Sequence, residues 1–138
     1  MRISIFRKGH FNAAHRLYVP AWSDEKNFEV FGKCANPHYH GHNYEIEVKV
    51  TGEVDPETGI LINLKDLKEI LRSEVEDKLD HRNLNVEIPE FRNLVPTVEH
   101  ICFVIWKILR SHLPDRYELK VRLYETPRNF VEYPAEND

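Results

Sequence analysis

From His40 to Thr51 the chain alternates without a break. His40, His42, Tyr44, Ile46, Val48 and Val50 share one face of an extended segment, and Asn43, Glu45, Glu47 and Lys49 share the other. This period of two is the signature of a half-buried β-strand, so the two histidines extend the buried row rather than the wet one. Residues two apart on a strand point the same way, with Cα atoms ~6.6–6.8 Å apart, which lets two imidazoles converge on one metal ion at a Zn–N distance of ~2.0–2.1 Å. His15, on a neighbouring strand, completes a three-ligand set with an open position, the layout of a catalytic zinc. The plainer alternative is a set of core histidines hydrogen-bonded to backbone. Adjacent same-face histidines on an apolar stripe argue against it, because each buried ring needs partners for its nitrogens.

The rest of the pattern builds an α+β fold. A first strand runs from about Arg2 to His15, with Ile3, Ile5, Phe11, Ala13 and His15 on one face and an irregularity expected near Gly9. Asp55-Pro-Glu-Thr-Gly59 is a turn, and Gly59-Ile-Leu-Ile62 reads as a return strand. Asn63 caps a helix through about Leu79, with Leu64, Leu67, Ile70, Leu71, Val75 and Leu79 on one stripe. A second helix starts at Thr97 and stops near Pro114. Leu119 to Glu125 alternates again, and Phe130 to Tyr133 is a short final strand. Strand pairs flanking two helices imply antiparallel hairpins with the helices on one face. Two long irregular segments remain, Leu17 to Lys33, with a short helix expected after Ser23, and Asp80 to Pro96. Loops of this length tend to be functional.

Composition narrows the function classes. The length of 138 residues fits one domain spanning 1–138, and 41% hydrophobic with 30% charged residues is a globular balance. Acidic and basic residues are interspersed at a net charge of −4, with no basic stripe for nucleic acid. No signal-peptide core and no membrane-length apolar run is present, and Cys34 and Cys102 do not make a disulfide framework. A reducing cytoplasm is therefore the expected compartment. The glycines form neither a dinucleotide fingerprint nor a Walker loop, and there is no H-E-x-x-H.

Several other residues have two readings. Cys34 lies in Gly32-Lys33-Cys34, next to the expected metal, where Lys33 and zinc would favour its thiolate. It is equally a possible fourth ligand of a structural zinc, or a small buried hydrophobe. Asp80-His81 follows the first long helix. It reads either as a helix-end histidine or as an acid orienting a histidine for proton transfer. Thr97 and Glu99 are first an N-cap and a first-turn acid, and Glu125 is a strand-end carboxylate. His38 shares the parity of His40, but Pro37 turns it off the strand, and Cys102 belongs to a helix's apolar stripe.

The combined motifs resemble the 6-pyruvoyl-tetrahydropterin synthase family. They are Phe11-Asn-Ala-Ala-His15-Arg, Trp22-Ser-Asp-Glu, Phe31-Gly-Lys-Cys34, Asn36-Pro37, His40-Gly-His42-Asn-Tyr and Gly52-Glu-Val-Asp-Pro-Glu-Thr-Gly59. Asn63-Leu-Lys-Asp-Leu-Lys, Leu79-Asp-His-Arg-Asn-Leu84, Thr97-Val-Glu99 and Tyr124-Glu-Thr126 continue the match. The resemblance implies a T-fold, a four-stranded antiparallel sheet with two helices on one face. It also implies a homohexamer, a dimer of trimers with active sites between subunits. It implies Zn²⁺ held by His15, His40 and His42, with Cys34 as proton acceptor and Asp80 with His81 as a second acid–base group. Glu125 would anchor the guanidine-like edge of a pterin, with Thr97 and Glu99 nearby. The implied reaction converts 7,8-dihydroneopterin triphosphate to 6-pyruvoyl-tetrahydropterin with loss of triphosphate.

A related product, 6-carboxy-tetrahydropterin, is made from the same substrate with release of acetaldehyde on the route to queuosine. The pyruvoyl enzymes typically keep five residues between the cysteine and His-Gly-His, the interval between Cys34 and His40 here. Val98 departs from them, since they often carry a second threonine there. The reading from another class is a zinc- and pterin-binding module without turnover.

Overall fold

The computed structural model describes residues 1–136. Two long strands dominate it, β1 (Arg2–His15) and β2 (His40–Glu53), paired antiparallel in continuous register from Arg2↔Glu53 to His15↔His40. Between them lie α1 (Asp24–Phe31) and a 3₁₀ turn (Gly32–Ala35). Ser23 caps α1 by accepting from the Lys26 N–H, and Gly32 ends the helix at a φ of 60°, a conformation that favours glycine. After β2 come α2 (Leu64–Leu71), a π-type turn (Arg72–Glu76) and the short α3 (Asp77–Leu79), which together form the expected helix behind the Asn63 cap. The segment expected to be irregular carries β3 (Arg82–Asn83), α4 (Leu84–Glu87) and a 3₁₀ turn (Pro89–Phe91). Then follow α5 (Val98–His112), capped by Thr97, and the strands β4 (Glu118–Tyr124) and β5 (Phe130–Tyr133).

The sheet order is β3-β1-β2-β4-β5. The four strands β1, β2, β4 and β5 pair antiparallel as expected, but the sheet has a fifth strand and is mixed, because β3 runs parallel to β1 at Ala13 and Ala14. The helices are also more numerous than two. The expected return strand at Gly59–Ile62 is absent. There the Asp55 turn closes through Gly59 N–H to Asp55 C=O at 2.8 Å, and the Leu61 carbonyl accepts from the Tyr117 hydroxyl at 2.9 Å instead of joining a ladder. Leu61 thereby fills the core beside Gly52 rather than extending an edge.

One face of the sheet carries Phe11, Ala13, Tyr44, Ile46, Val48, Val50, Leu119, Val121 and Leu123, all buried. Helix α5 packs over β4 and β5, and α2 packs over β1. Leu67, Leu71, Ile101, Ile105 and Leu109 close the core from the helix side. No irregularity occurs at Gly9, which pairs in register with Ile46. A Cβ there would lie 2.8 Å from Leu71 Cδ2 and 3.2 Å from the Glu76 carboxyl carbon, so close approach of the helix explains the glycine. The opposite face is uncovered. It holds Lys120 and Arg122 paired with Glu132, and the half-exposed rings of Phe6 and Phe130. Among the described residues no helix is long and apolar enough to cross a membrane.

Candidate metal centre and active site

The register of β1 and β2 assembles the histidines. His15 lies directly across from His40, and His42 lies across from Ala13, whose small side chain leaves space on the same face. The ring centroids are 4.5 Å apart for His15 and His40, 5.1 Å for His15 and His42, and 5.1 Å for His40 and His42. Each ring offers one nitrogen, and these three nitrogens lie within 4.8 Å of one another. Cys34 is not in that group.

The hydrogen bonding suits a cation better than a packed core. His15 is fully buried, and its Nδ1–H donates to the Pro96 carbonyl at 2.8 Å, which makes Nε2 the unprotonated nitrogen. Both ring nitrogens of His40 and Nε2 of His42 are buried without a hydrogen-bond partner. Leaving such atoms unpaired is costly, and a metal bound by one nitrogen of each ring removes part of that cost. Burial foremost, with the neighbouring rings His40 and His42, lowers the His15 pKa to about 4 against the pull of Pro96. His40 is also lowered, by burial and by His42, so both rings favour the neutral, ligating form. The residues therefore fit a zinc ion.

Around the histidines stand a carboxylate, a thiol and a phenol. Glu125 follows Leu123 with the same parity, and its Oε1 reaches to 3.9 Å from His42 Nε2. Its backbone N–H donates to Asn129, the closing contact of the β4–β5 turn. The Cys34 carbonyl accepts from Leu17 N–H at 2.8 Å, which ties the 3₁₀ turn to the chain just past His15. Burial and then Glu125 raise the Cys34 pKa. The expected lowering by Lys33 is thus not met in the chain alone, because Lys33 is exposed and the desolvation and the carboxylate prevail. Tyr44 is a residue the sequence reading left in the core. Its hydroxyl sits 3.4 Å from His15 Nδ1 and 3.5 Å from Nε2, and burial, Glu125 and Cys34 push its pKa up. Its parity with His42 was the available signal.

Other expected site residues lie apart. Asp80 Oδ2 accepts from His81 Nδ1 at 2.8 Å, and Asp80 Oδ1 accepts from the Asn12 N–H at 2.8 Å, on the outer edge of β1. These bonds, with Asn12 the larger, hold the Asp80 carboxyl below its usual range. His81 has a φ of 59° and an 82% exposed side chain. The two side chains are hydrogen-bonded to each other, their other contacts are with Asn12, and none is with the histidine cluster. Thr97 accepts from His100 N–H, and Glu99 is exposed in the first turn of α5. Their link to the cluster is Pro96, one residue before Thr97, through its bond to His15.

The family profile described as 6-pyruvoyl tetrahydropterin synthase matches residues 4–136. The chain belongs to that family. A 6-pyruvoyl tetrahydrobiopterin synthase of Pongo abelii is 46% identical over 96% of this chain and 91% of its own length. The solved 6-pyruvoyl tetrahydropterin synthase of Caenorhabditis elegans superposes with a TM-score of 0.91 at 39% identity, covering 99% of this chain and 97% of that one. A putative 6-carboxy-5,6,7,8-tetrahydropterin synthase of Archaeoglobus fulgidus is 41% identical, but over 56% of this chain and 59% of its own.

Proposed function

We propose that the chain is a zinc-dependent lyase that converts 7,8-dihydroneopterin triphosphate to 6-pyruvoyl-tetrahydropterin with elimination of triphosphate. The observation that carries the reading is the convergence of unpartnered buried nitrogens of His40 and His42 on His15, with Glu125 beside them. His15 through Nε2, His40 and His42 hold the zinc. The chemistry zinc supplies when bound is Lewis-acid polarisation of the substrate's side-chain oxygens, which acidifies the adjoining C–H bonds. Cys34, as thiolate, accepts a carbon-bound proton. Glu125 accepts hydrogen bonds from the guanidine-like edge of the pterin and sets the distance between ring and cluster, with Thr97 and Glu99 flanking the pocket. His81, oriented by Asp80, carries a second proton. The ring C=N gains the electrons that the side-chain alcohols lose, so no external reductant is consumed.

The dyad's exposure supports an assembly in which Asp80 and His81 serve another subunit's cluster. Both outer edges of the sheet support it as well: β1 is covered by strand pairing at Ala13 and Ala14 alone, and β5 has no outer partner among the described residues. Edge-to-edge pairing of copies would satisfy these strands. We read the functional state as a homohexamer, a dimer of trimers with interfacial sites, working in a reducing cytoplasm where Cys34 stays a free thiol.

The Archaeoglobus fulgidus relative favours one second reading, formation of 6-carboxy-tetrahydropterin from the same substrate with release of acetaldehyde. Its partial coverage, against matches across more than nine-tenths of the chain for the pyruvoyl relatives, ranks it second. Incubation of the purified zinc-loaded chain with 7,8-dihydroneopterin triphosphate separates the two. A pyruvoyl product without acetaldehyde is expected; stoichiometric acetaldehyde with a carboxylated pterin would move the assignment to the second reading. No consumption of substrate would leave a binding module.

A further inference from the structure

The histidines, Cys34 and Glu125 account for the pterin and its side chain and leave the substrate's most highly charged part without a seat. A cavity of about 530 Å³ is lined by Lys33 and Ala35, the sequence neighbours of Cys34, and by Arg16, the residue after His15. Asn27, Asn36, His38 and Asp24 complete its polar lining. Arg16 is held in place: its Nε donates to the Ala35 carbonyl at 2.9 Å and its guanidinium lies 3.9 Å over the Tyr18 ring. That arrangement leaves the terminal guanidinium nitrogens free. Neither Arg16 nor Lys33 forms an ion pair among the described residues, and Asp24 offsets one of the two charges. A fixed guanidinium and a mobile ammonium facing one cavity suit an anion with several phosphate oxygens, since Arg supplies a rigid fork and Lys a point charge.

We propose that this cavity holds the oligophosphate end of the substrate, with Arg16 and Lys33 as its charge partners, an inference that rests on the function proposed above. The placement has a chemical logic. The chain carries no glycine-rich phosphate loop, so side chains must supply the positive field. Arg16 and Lys33 are each one residue from a group of the reaction centre, His15 and Cys34. His38, set aside by the sequence reading because Pro37 turns it off β2, belongs to this lining.

The test titrates inorganic triphosphate into the full chain by calorimetry, both zinc-loaded and metal-free, the second removing chelation of zinc by the probe. Binding is expected to weaken about tenfold in Lys33→Ala and further in Lys33→Glu. It should fall with ionic strength, and be unaffected in Lys65→Glu, an exposed position on α2. Binding of 7,8-dihydroneopterin, which lacks the phosphates, is expected to match the parent chain in both Lys33 variants, while KM for the triphosphorylated substrate rises by the same factor as the calorimetric loss. Absence of inorganic triphosphate binding, unchanged binding in Lys33→Glu, or an equal loss in Lys65→Glu overturns the assignment. Lys33-dependent binding in a chain that leaves the substrate unconsumed would sustain the cavity while rejecting the proposed reaction. Turnover with Lys33-independent binding would do the reverse.

Discussion

The Nδ1–H of His15 donates to the carbonyl of Pro96 at 2.8 Å, so the residue before the α5 cap fixes the tautomer of a ring on β1. The other nitrogen of His15 is thereby presented to His40 and His42; both nitrogens of His40 and Nε2 of His42 lack hydrogen-bond partners. Metal binding should therefore stabilise the fold as well as equip it. Zinc at about 100 times its dissociation constant stabilises by roughly 2.7 kcal/mol, an upward shift of several degrees in the melting temperature. Calorimetry of zinc-loaded against chelator-treated protein should show it, and His40→Ala should lose the zinc-dependent shift. An equal melting temperature with and without metal would contradict the cluster's role.

The metal-free chain should also carry a pH signature. His15 titrates near 6.5 when unfolded and at about 4 when folded, chiefly because of burial. Between these values the unfolded state binds more protons, so stability falls as pH drops from about 6.5 toward 4 and is insensitive to this group above that window. The shift corresponds to roughly 3 kcal/mol across the window. Urea midpoints of metal-stripped protein measured at intervals from pH 7 to pH 4 check the slope. His15→Gln should flatten it, and a slope unchanged in that variant would remove His15 as its source.

Gly9 tests the packing that brings the helix onto β1. A methyl group at this position meets Leu71 Cδ2 at 2.8 Å and the Glu76 carboxyl group, which accepts from the His10 N–H at 3.0 Å. Gly9→Ala should cost about 1–3 kcal/mol through overpacking. Adding Leu71→Ala should recover less than additivity demands, or more, but not the plain sum, because the two sites touch. Chemical denaturation of the single and double variants measures the coupling; strict additivity would contradict the contact.

How much of this was legible beforehand follows from where each signal lies. The alternation from His40 to Thr51 and the parity of His15 specified β1, β2 and the histidine set, since a period of two leaves no choice of face. The caps Ser23, Asn63 and Thr97 marked three helices for the same local reason. Arg82–Asn83 was not legible, because a two-residue parallel strand has no periodicity and exists through its pairing with Ala13 and Ala14. Gly59–Ile62 misled in the opposite sense: its composition suits a strand, but the Tyr117 hydroxyl takes the Leu61 carbonyl. The approach of Glu125 to His42 depends on the alignment of β4 with β2, which no local pattern encodes.

The separation of Asp80–His81 from the cluster within one chain leads to a complementation experiment. Cys34→Ala and His81→Ala should each be inactive as pure assemblies. Subunits of the two variants, mixed under denaturing conditions and refolded together, should regain a measurable fraction of parent turnover, because some interfaces then pair an intact Cys34 with an intact His81. A mixture as inactive as its components would place both groups in one subunit's site.

The most direct measurement of the account compares zinc content and turnover in Cys34→Ala. The thiol lies outside the group of three nitrogens proposed to hold the metal. Elemental analysis should therefore find the same zinc per chain as in the parent protein. Consumption of 7,8-dihydroneopterin triphosphate should fall by roughly 10²–10⁴-fold, as removal of a positioned proton acceptor requires. Loss of zinc together with the thiol would make Cys34 a ligand of a structural site, and turnover undiminished in the variant would remove it from the reaction.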